Sequence, residues 1–339
     1  MTAVYEALLR HPDLLDSNTL ILGAGAEMPA AWLAYVEEHS LTYCTWDLLT
    51  AQAYADETEF TEPHTLLNKA IVPDVNNTEA NTVILLWPKS KVFGQALIQL
   101  LSQQHSQCYV IAANDAGGKS IQSATKELVS GCKKIDSARR CSLWFLQLET
   151  SSERFNWLQH ARSFTFEERS FLTLPGVFNH GKLDVGTELL LEHVPAPAQG
   201  KLLDVGCGSG VIGLTMKARN LALHVTLSDI DAMAIKSAQL NALRLGLEAE
   251  VVSSNGLQNI DGHYDYIFSN PPFHQGKHTD YHFASALFED AKRHLTRDGQ
   301  LWIVANRHLP YEEWARESFA SAEILAQEKG FKLICAQQR

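Results

Sequence analysis

Lys201-Leu202-Leu203-Asp204-Val205-Gly206-Cys207-Gly208-Ser209-Gly210 is the stretch that decides the fold. An apolar run carrying one carboxylate breaks into three alternating glycines, and Val211-Ile212-Gly213-Leu214-Thr215-Met216-Lys217-Ala218 continues as a helix. A strand feeding a helix through a glycine-rich turn opens an α/β domain with a parallel sheet. Glycines let a ligand approach the backbone closely, and the helix N-terminus offers free N–H groups. The spacing is equally compatible with a dinucleotide fold. Asp204 is unusual beside a pyrophosphate, because a carboxylate repels phosphate; it suits a cationic ligand. A second strand, His224-Val225-Thr226-Leu227-Ser228, ends at Asp229. An acidic residue about twenty-five positions after the first can hold ribose hydroxyls. The site reads as one for a nucleoside with a positive, non-phosphorylated tail.

Further along, Tyr264-Asp265-Tyr266-Ile267-Phe268-Ser269 reads as a strand, and Asn270-Pro271-Pro272-Phe273 follows it. The prolines fix φ and restrict the residue before each, so the turn is stiff. A stiff turn of this kind holds one amide oxygen, one carbonyl and one ring in fixed relation. That set matches an exocyclic amine on a planar base: two acceptors for its N–H groups and a ring to stack on. The competing reading is an ordinary proline-rich loop.

Taken together, Asp204-Val205-Gly206-Cys207-Gly208-Ser209-Gly210, Asp229 and Asn270-Pro271-Pro272-Phe273 resemble the Rossmann-like S-adenosylmethionine-dependent methyltransferases that act on amino nitrogens. Leu174-Pro175-Gly176-Val177-Phe178, Leu183-Asp184-Val185-Gly186-Thr187-Glu188, Lys134-Ile135-Asp136-Ser137-Ala138-Arg139-Arg140 and Val304-Ala305-Asn306-Arg307 narrow the resemblance. They are similar to the bacterial ribosomal RNA small subunit methyltransferase C family. The resemblance implies N2 methylation of one guanine, guanine 1207 by family, in 16S rRNA of the small ribosomal subunit. It implies two tandem Rossmann-like domains: a degenerate one over 1–160, a connector over 161–180, and a catalytic one over 181–339 with a seven-stranded, mostly parallel sheet. Asn270, Pro271, Pro272 and Phe273 are the expected catalytic turn. Asp204, Gly206, Gly208, Gly210, Asp229, Ile230, Asn255 and Thr187 are expected around S-adenosylmethionine, with Phe178 and Asp184 closing over it. Asn255 stands where an acidic residue often meets the adenine amine. Phe178 and Phe273 are expected at the base, and Lys134, Arg139 and Arg140 on the RNA.

Composition is that of a globular two-domain protein: 339 residues, 45% hydrophobic and 20% charged. No apolar run reaches the roughly 18 residues of a membrane span. The start, Met1-Thr2-Ala3-Val4-Tyr5-Glu6, lacks a secretory pattern. The six cysteines form no C-x-x-C pair, which points to a reducing cytoplasm. A monomer acting on RNA, with no membrane and no metal, is the expectation. The net charge of −11 argues against a general nucleic-acid binder. The charge is uneven: residues 1–80 carry −11, residues 81–165 carry +5 and the rest −5. The basic segment includes Lys133, Lys134, Arg139 and Arg140 and is the candidate RNA-facing surface; a solvated face is the alternative.

The two halves share a rhythm. Thr19-Leu20-Ile21-Leu22 with Gly23-Ala24-Gly25, Thr82-Val83-Ile84-Leu85-Leu86 with Trp87-Pro88-Lys89, a helix from Phe93 to Gln104, and a strand ending Ala112-Ala113-Asn114 mirror the second half. The Trp-Pro-Lys turn is aligned with Asn-Pro-Pro, and Ala-Ala-Asn with Val-Ala-Asn. The first copy lacks the strand carboxylate and the turn amide, so it keeps the fold without the cofactor chemistry. Phe164 to Phe171 reads as a strand-like connector. Cys207 lies in the cofactor turn, which speaks against a cysteine nucleophile. His274, His278, His282 and His294 cluster after the catalytic turn, where a solvated face outweighs metal binding. Two other classes stay open: a methyltransferase of adenine N6 or a glutamine side chain, and a non-catalytic RNA-binding assembly protein.

Overall fold

The computed structural model describes residues 2–25, 28–57, 80–151, 153–271 and 277–338. The chain divides into two compact units, Met1–Ala161 and Arg162–Arg339. The first runs α1 (Thr2–Leu8), β1 (Thr19–Leu22), α2 (Ala30–His39), β2 (Thr42–Cys44), α3 (Leu48–Glu57), β3 (Thr82–Leu86), α4 (Lys91–Leu101), β4 (Gln107–Ala113), α5 (Ile121–Thr125), β5 (Val129–Ala138) and β6 (Cys141–Leu148). Among the described residues its sheet is six-stranded, in the order β2-β1-β3-β4-β6-β5. β2, β1, β3 and β4 are parallel. β6 and β5 add in antiparallel fashion.

The second unit begins with β7 (Arg162–Phe166) and β8 (Arg169–Thr173). It continues through α6 (Val185–His193), β9 (Lys201–Val205), α7 (Val211–Arg219), β10 (His224–Asp229), α8 (Ala232–Leu245), β11 (Glu250–Ser253), β12 (Tyr264–Ser269), α9 (Lys277–His294), β13 (Leu295–Asn306), α10 (Tyr311–Ser318), β14 (Ser321–Glu328) and β15 (Phe331–Gln337). Among the described residues its sheet is seven-stranded, β11-β10-β9-β12-β13-β15-β14, with five parallel strands and the β15-β14 pair antiparallel. Successive strand residues face opposite sides. Leu202, Phe268 and Val304 pack with α6, α7 and α8 on one face. Leu203, Ile267 and Ile303 pack with α9 and α10 on the other. The sheet is therefore buried on both faces, which is why its central strands read as near-continuous apolar runs. Phe164 to Phe171, read as one connecting strand, is a hairpin. Glu167 and Glu168 turn the chain at φ 44° and 63°.

Omitting β11, the second order reads β10-β9-β12-β13-β15-β14, which matches the first unit strand for strand and direction for direction. Register corrects the sequence alignment of the repeat by one residue. Leu22 pairs with Leu85 as Val205 pairs with Ser269, so Leu86, not Trp87, takes the place of Asn270. Ala113, not Asn114, likewise takes the place of Asn306, each lying opposite the first residue after a tight hairpin turn. The X-Pro resemblance misled because strand pairing, not the position of a proline, sets register. The substitution has a steric result. A Cβ on Gly23 would sit 2.4 Å from Leu86 Cβ, whereas one on Gly206, the equivalent glycine, would meet nothing within 4 Å among the described residues. At this one position the first unit fills space that the described residues of the second leave open.

Candidate active site

β9 delivers Asp204, fully buried, immediately before the turn. Its Oδ2 accepts the Gly213 N–H at 2.9 Å, whereas Oδ1 has no hydrogen-bond partner among the described residues. Burial, opposed by the Gly213 N–H and reinforced by the charge of Asp229, pushes its pKa from 3.8 up to about 7. Gly206 turns the chain at φ 69°, a conformation that favours glycine, and among the described residues nothing lies within 4 Å of where a Cβ would be, so a ligand can reach the backbone. Gly208 and Gly210 continue the turn, and Gly210 caps α7. Cys207 is buried, and desolvation together with Asp229 and Asp204 drives its thiol well above the ordinary range, so it is no nucleophile.

Asp229 closes β10. Its Oδ2 accepts the Gly208 N–H at 2.8 Å and its Oδ1 the Asp231 N–H at 3.0 Å, which ties the second strand end to the glycine-rich turn. Burial lifts its pKa, and the N–H groups of Asp231, Gly208 and Ile230 hold it down. Ile230, half-buried, follows directly. Ser254 N bonds Asp229 O at 2.9 Å, and this places Asn255 beside the same strand end. Asn255 Nδ2 donates to Gln258 Oε1, and Gly256 follows at φ 56°.

Asn270 and Pro271 leave the end of β12, the neighbour of β9; Ser269 Oγ donates to Val205 O at 3.0 Å. Asn270 Nδ2 donates to Asp184 Oδ2 at 2.7 Å and to Thr187 Oγ1 at 2.9 Å. Asp184 also caps α6 by accepting the Thr187 N–H, and its Oδ1 accepts Asn179 Nδ2 at 2.7 Å. Thr187 and Asp184, expected at the cofactor, thus engage the Asn270 amide. Gly186 lies against them: a Cβ there would fall 2.8 Å from Val304 Cγ1, 3.0 Å from Asp184 Oδ2 and 3.2 Å from Asn270 Oδ1. Pro272 and Phe273 lie outside the described residues, as does His274.

The loop before α6 forms a wall beside the glycine-rich turn. Val177 Cγ1 lies 4.0 Å from where a Gly208 Cβ would be. Phe178 next to it is 59% exposed, too open for a core residue and available to a flat ligand. A buried clasp holds this loop, and nothing in the sequence reading singled it out. Asn241 on α8 accepts the Leu172 N–H and donates to Leu172 O and Ser209 O, all at 2.8–2.9 Å, while Ser237 Oγ accepts the Leu174 N–H. A buried serine and asparagine one turn apart, Ser237 and Asn241, on the inner face of α8 are the signal that would have found it.

In the first unit, Lys134 lies on the edge strand β5, its Nζ 5.0 Å above the Trp144 ring. Arg139 and Arg140 form the β5–β6 turn at φ 53° and 59°, and Arg139 Nε lies 3.6 Å from Glu6. Lysines on an edge strand also guard against edge-to-edge pairing. A cavity of about 560 Å³, lined by Lys201, His224 and Tyr264, lies at the amino ends of the second sheet, the ends opposite the Gly206 turn. Among the described residues no three His, Cys, Asp or Glu side chains could hold a metal, and no helix is long and apolar enough to cross a membrane.

The strand order, the open glycine-rich turn and the Asn-Pro junction on the adjacent strand define a methyltransferase domain. The methyltransferase small domain matches residues 168–335, and the methyltransferase small domain N-terminal matches residues 6–164. Ribosomal RNA small subunit methyltransferase C of Serratia proteamaculans is 36% identical over 99% of this chain and 95% of its own. The protein of that name from Haemophilus influenzae is 39% identical over 75% of this chain and 78% of its own. The chain belongs to the ribosomal RNA small subunit methyltransferase C family. Its fold is also that of a solved T. thermophilus 16S rRNA N2 G1207 methyltransferase in complex with AdoMet and guanosine, with a TM-score of 0.77, 20% identity, and coverage of 95% of this chain and 88% of that one.

Proposed function

We propose that this chain transfers a methyl group from S-adenosylmethionine to the exocyclic N2 amine of a guanine in 16S rRNA of the small ribosomal subunit, guanine 1207 by family. The observation that carries the reading is adjacency: the Asn270-Pro271 junction leaves the strand next to the one that ends in the open Gly206 turn. The residues present fit the cofactor. Asp204 offers a buried carboxylate with an unpartnered oxygen for a cationic tail, Gly206 leaves room beside the backbone, and Asp229 stands at the second strand end for ribose hydroxyls. When bound, the cofactor supplies a methyl group activated on a sulfonium.

The chain's own residues do the rest. Guanine N2 is a weak nucleophile because its lone pair delocalises into the ring. Asn270 Oδ1 and the Pro271 carbonyl accept its two N–H bonds and hold the nitrogen toward the glycine-rich turn. Positioning lowers the barrier, and acceptor dipoles favour the positive charge that develops on nitrogen. No strong base is required, since the proton leaves after transfer. Phe178, with Phe273 outside the described residues, offers a ring for stacking, worth roughly 1–3 kcal/mol per base. A paired guanine is first flipped out of its stack. Lys134, Arg139 and Arg140 contact the RNA backbone from the first unit.

The test uses purified protein, radiolabelled S-adenosylmethionine and small subunits from a strain lacking this gene, followed by nucleoside analysis. Label in N2-methylguanosine that disappears in Asn270→Ala is the expected result. Label in another nucleoside rejects the substrate, and no label in any acceptor favours a non-catalytic protein.

A further inference from the structure

We infer that Asp184 is a positioning residue that fixes which way the Asn270 carboxamide faces, and so makes the catalytic turn a hydrogen-bond acceptor. The inference rests on the function proposed above and deepens it. An amide has one donating and one accepting end, and a turn that must receive an amine needs the oxygen outward. The Asn-Pro junction stiffens the backbone but does not decide the flip of the side chain. The groups around it do. A carboxylate only accepts. Asp184 Oδ2 lies 2.7 Å from one end of the Asn270 amide, so that end is the NH2 group. Its second hydrogen goes to Thr187 Oγ1 at 2.9 Å. Both donors are consumed inside the protein, and Oδ1 is left for the substrate.

Asp184 is itself fixed. Its Oδ2 also accepts the Thr187 N–H at 3.0 Å, and its Oδ1 accepts Asn179 Nδ2 at 2.7 Å. Turning the Asn270 amide over would set its carbonyl oxygen against the carboxylate and aim a donor at the incoming amine. Gly186, where a side chain would press on Asp184 Oδ2 and Asn270 Oδ1, lets the three groups meet. The plainer role, a helix cap for α6, explains the Thr187 N–H bond and leaves the bond to Asn270 without a purpose.

Two variants separate the roles, because serine and asparagine are equally good N-caps. In Asp184→Asn an amide oxygen still faces Thr187 N and Asn270 Nδ2 once the Asn179 amide turns to accept. In Asp184→Ser the cap remains, but the hydroxyl is too short to hold Asn270 and can donate as well as accept. With small subunits as substrate, kcat for Asp184→Ser falls about 100-fold, while Asp184→Asn recovers most of the rate. Cofactor affinity by calorimetry and the thermal midpoint change little in either. A readout free of activity is 15N NMR of the Asn270 side-chain amide, whose two hydrogens exchange slowly in wild type and fast in Asp184→Ser. Equal kcat in the two variants, or unchanged Asn270 exchange in Asp184→Ser, overturns the inference. If Asp184→Ser fails to fold, Thr187→Val removes the second acceptor and faces the same two readouts. A wild type that makes no N2-methylguanosine sinks the proposed function, and the exchange measurement still decides the amide's orientation.

Discussion

Two residues carry the sharpest chemical expectations. Asp204 holds its proton up to about pH 7 in the folded chain against 3.8 ordinarily. Between those values the folded state binds more protons than the unfolded one, so this group's contribution to stability falls as pH rises and is least unfavourable below the lower value. A cationic ligand favours the ionised form. Affinity for S-adenosylmethionine, measured by calorimetry, is therefore expected to weaken as pH drops through about 7, approaching about tenfold per unit. Asp204→Asn flattens that slope. Gly186→Ala is expected to cost roughly 100-fold in kcat with cofactor affinity largely kept, as read by single-turnover methylation. Asp204, the glycines and Asn270 were legible because each belongs to a local strand–turn pattern. The partnerships of Asp184 with Asn270 and of Leu172 with Asn241 were not, because they join positions 86 and 69 residues apart.

At the level of elements, the sequence placed the β9, β10 and β12 strands well, since burial on both faces leaves apolar runs with sharp ends. α4 begins at Lys91, earlier than the apolar pattern indicates, because Ser90 Oγ accepts the Phe93 N–H and caps it there. The β7–β8 hairpin was missed because Glu-Glu carries no turn signature; such positions usually hold Asn or Gly. Its docking on α8 combines the Asn241 amide, the Ser237 hydroxyl and the buried Phe171 ring. Asn241→Leu strands the Leu172 N–H, Leu172 O and Ser209 O, at a cost of about 3 kcal/mol. Urea unfolding of the second unit would measure this, and faster hydrogen exchange at Leu172 would locate it.

Taken whole, the molecule is a repeat in which the second copy keeps room at the first glycine of its turn, among the described residues, and the first copy does not. The groups proposed to hold the cofactor all belong to Arg162–Arg339. Residues 162–339 expressed alone are expected to bind S-adenosylmethionine within about threefold of the full chain, given a unit with its own core. Methylation of small subunits by this fragment is expected to fall much further, through loss of Lys134, Arg139 and Arg140. Full activity of the fragment would refute a role for the first unit in RNA contact. Those arginines occupy left-handed backbone positions, at about 1–3 kcal/mol each, where the equivalent turn of the second unit uses Lys329-Gly330.

The Asn270–Pro271 junction also bears on how the enzyme ages. Asparagine decays to aspartate when the next backbone nitrogen attacks the side-chain carbonyl, and proline, lacking an N–H, closes that route. The amide proposed to receive the substrate is thus protected by its own neighbour. Asn255, followed by Gly256 in an open turn, has no such shield. After long incubation, peptide mass spectrometry should find aspartate or isoaspartate at position 255 and intact asparagine at 270. With the roles proposed above, old molecules would lose grip on the nucleoside before they lose the Asn270 amide.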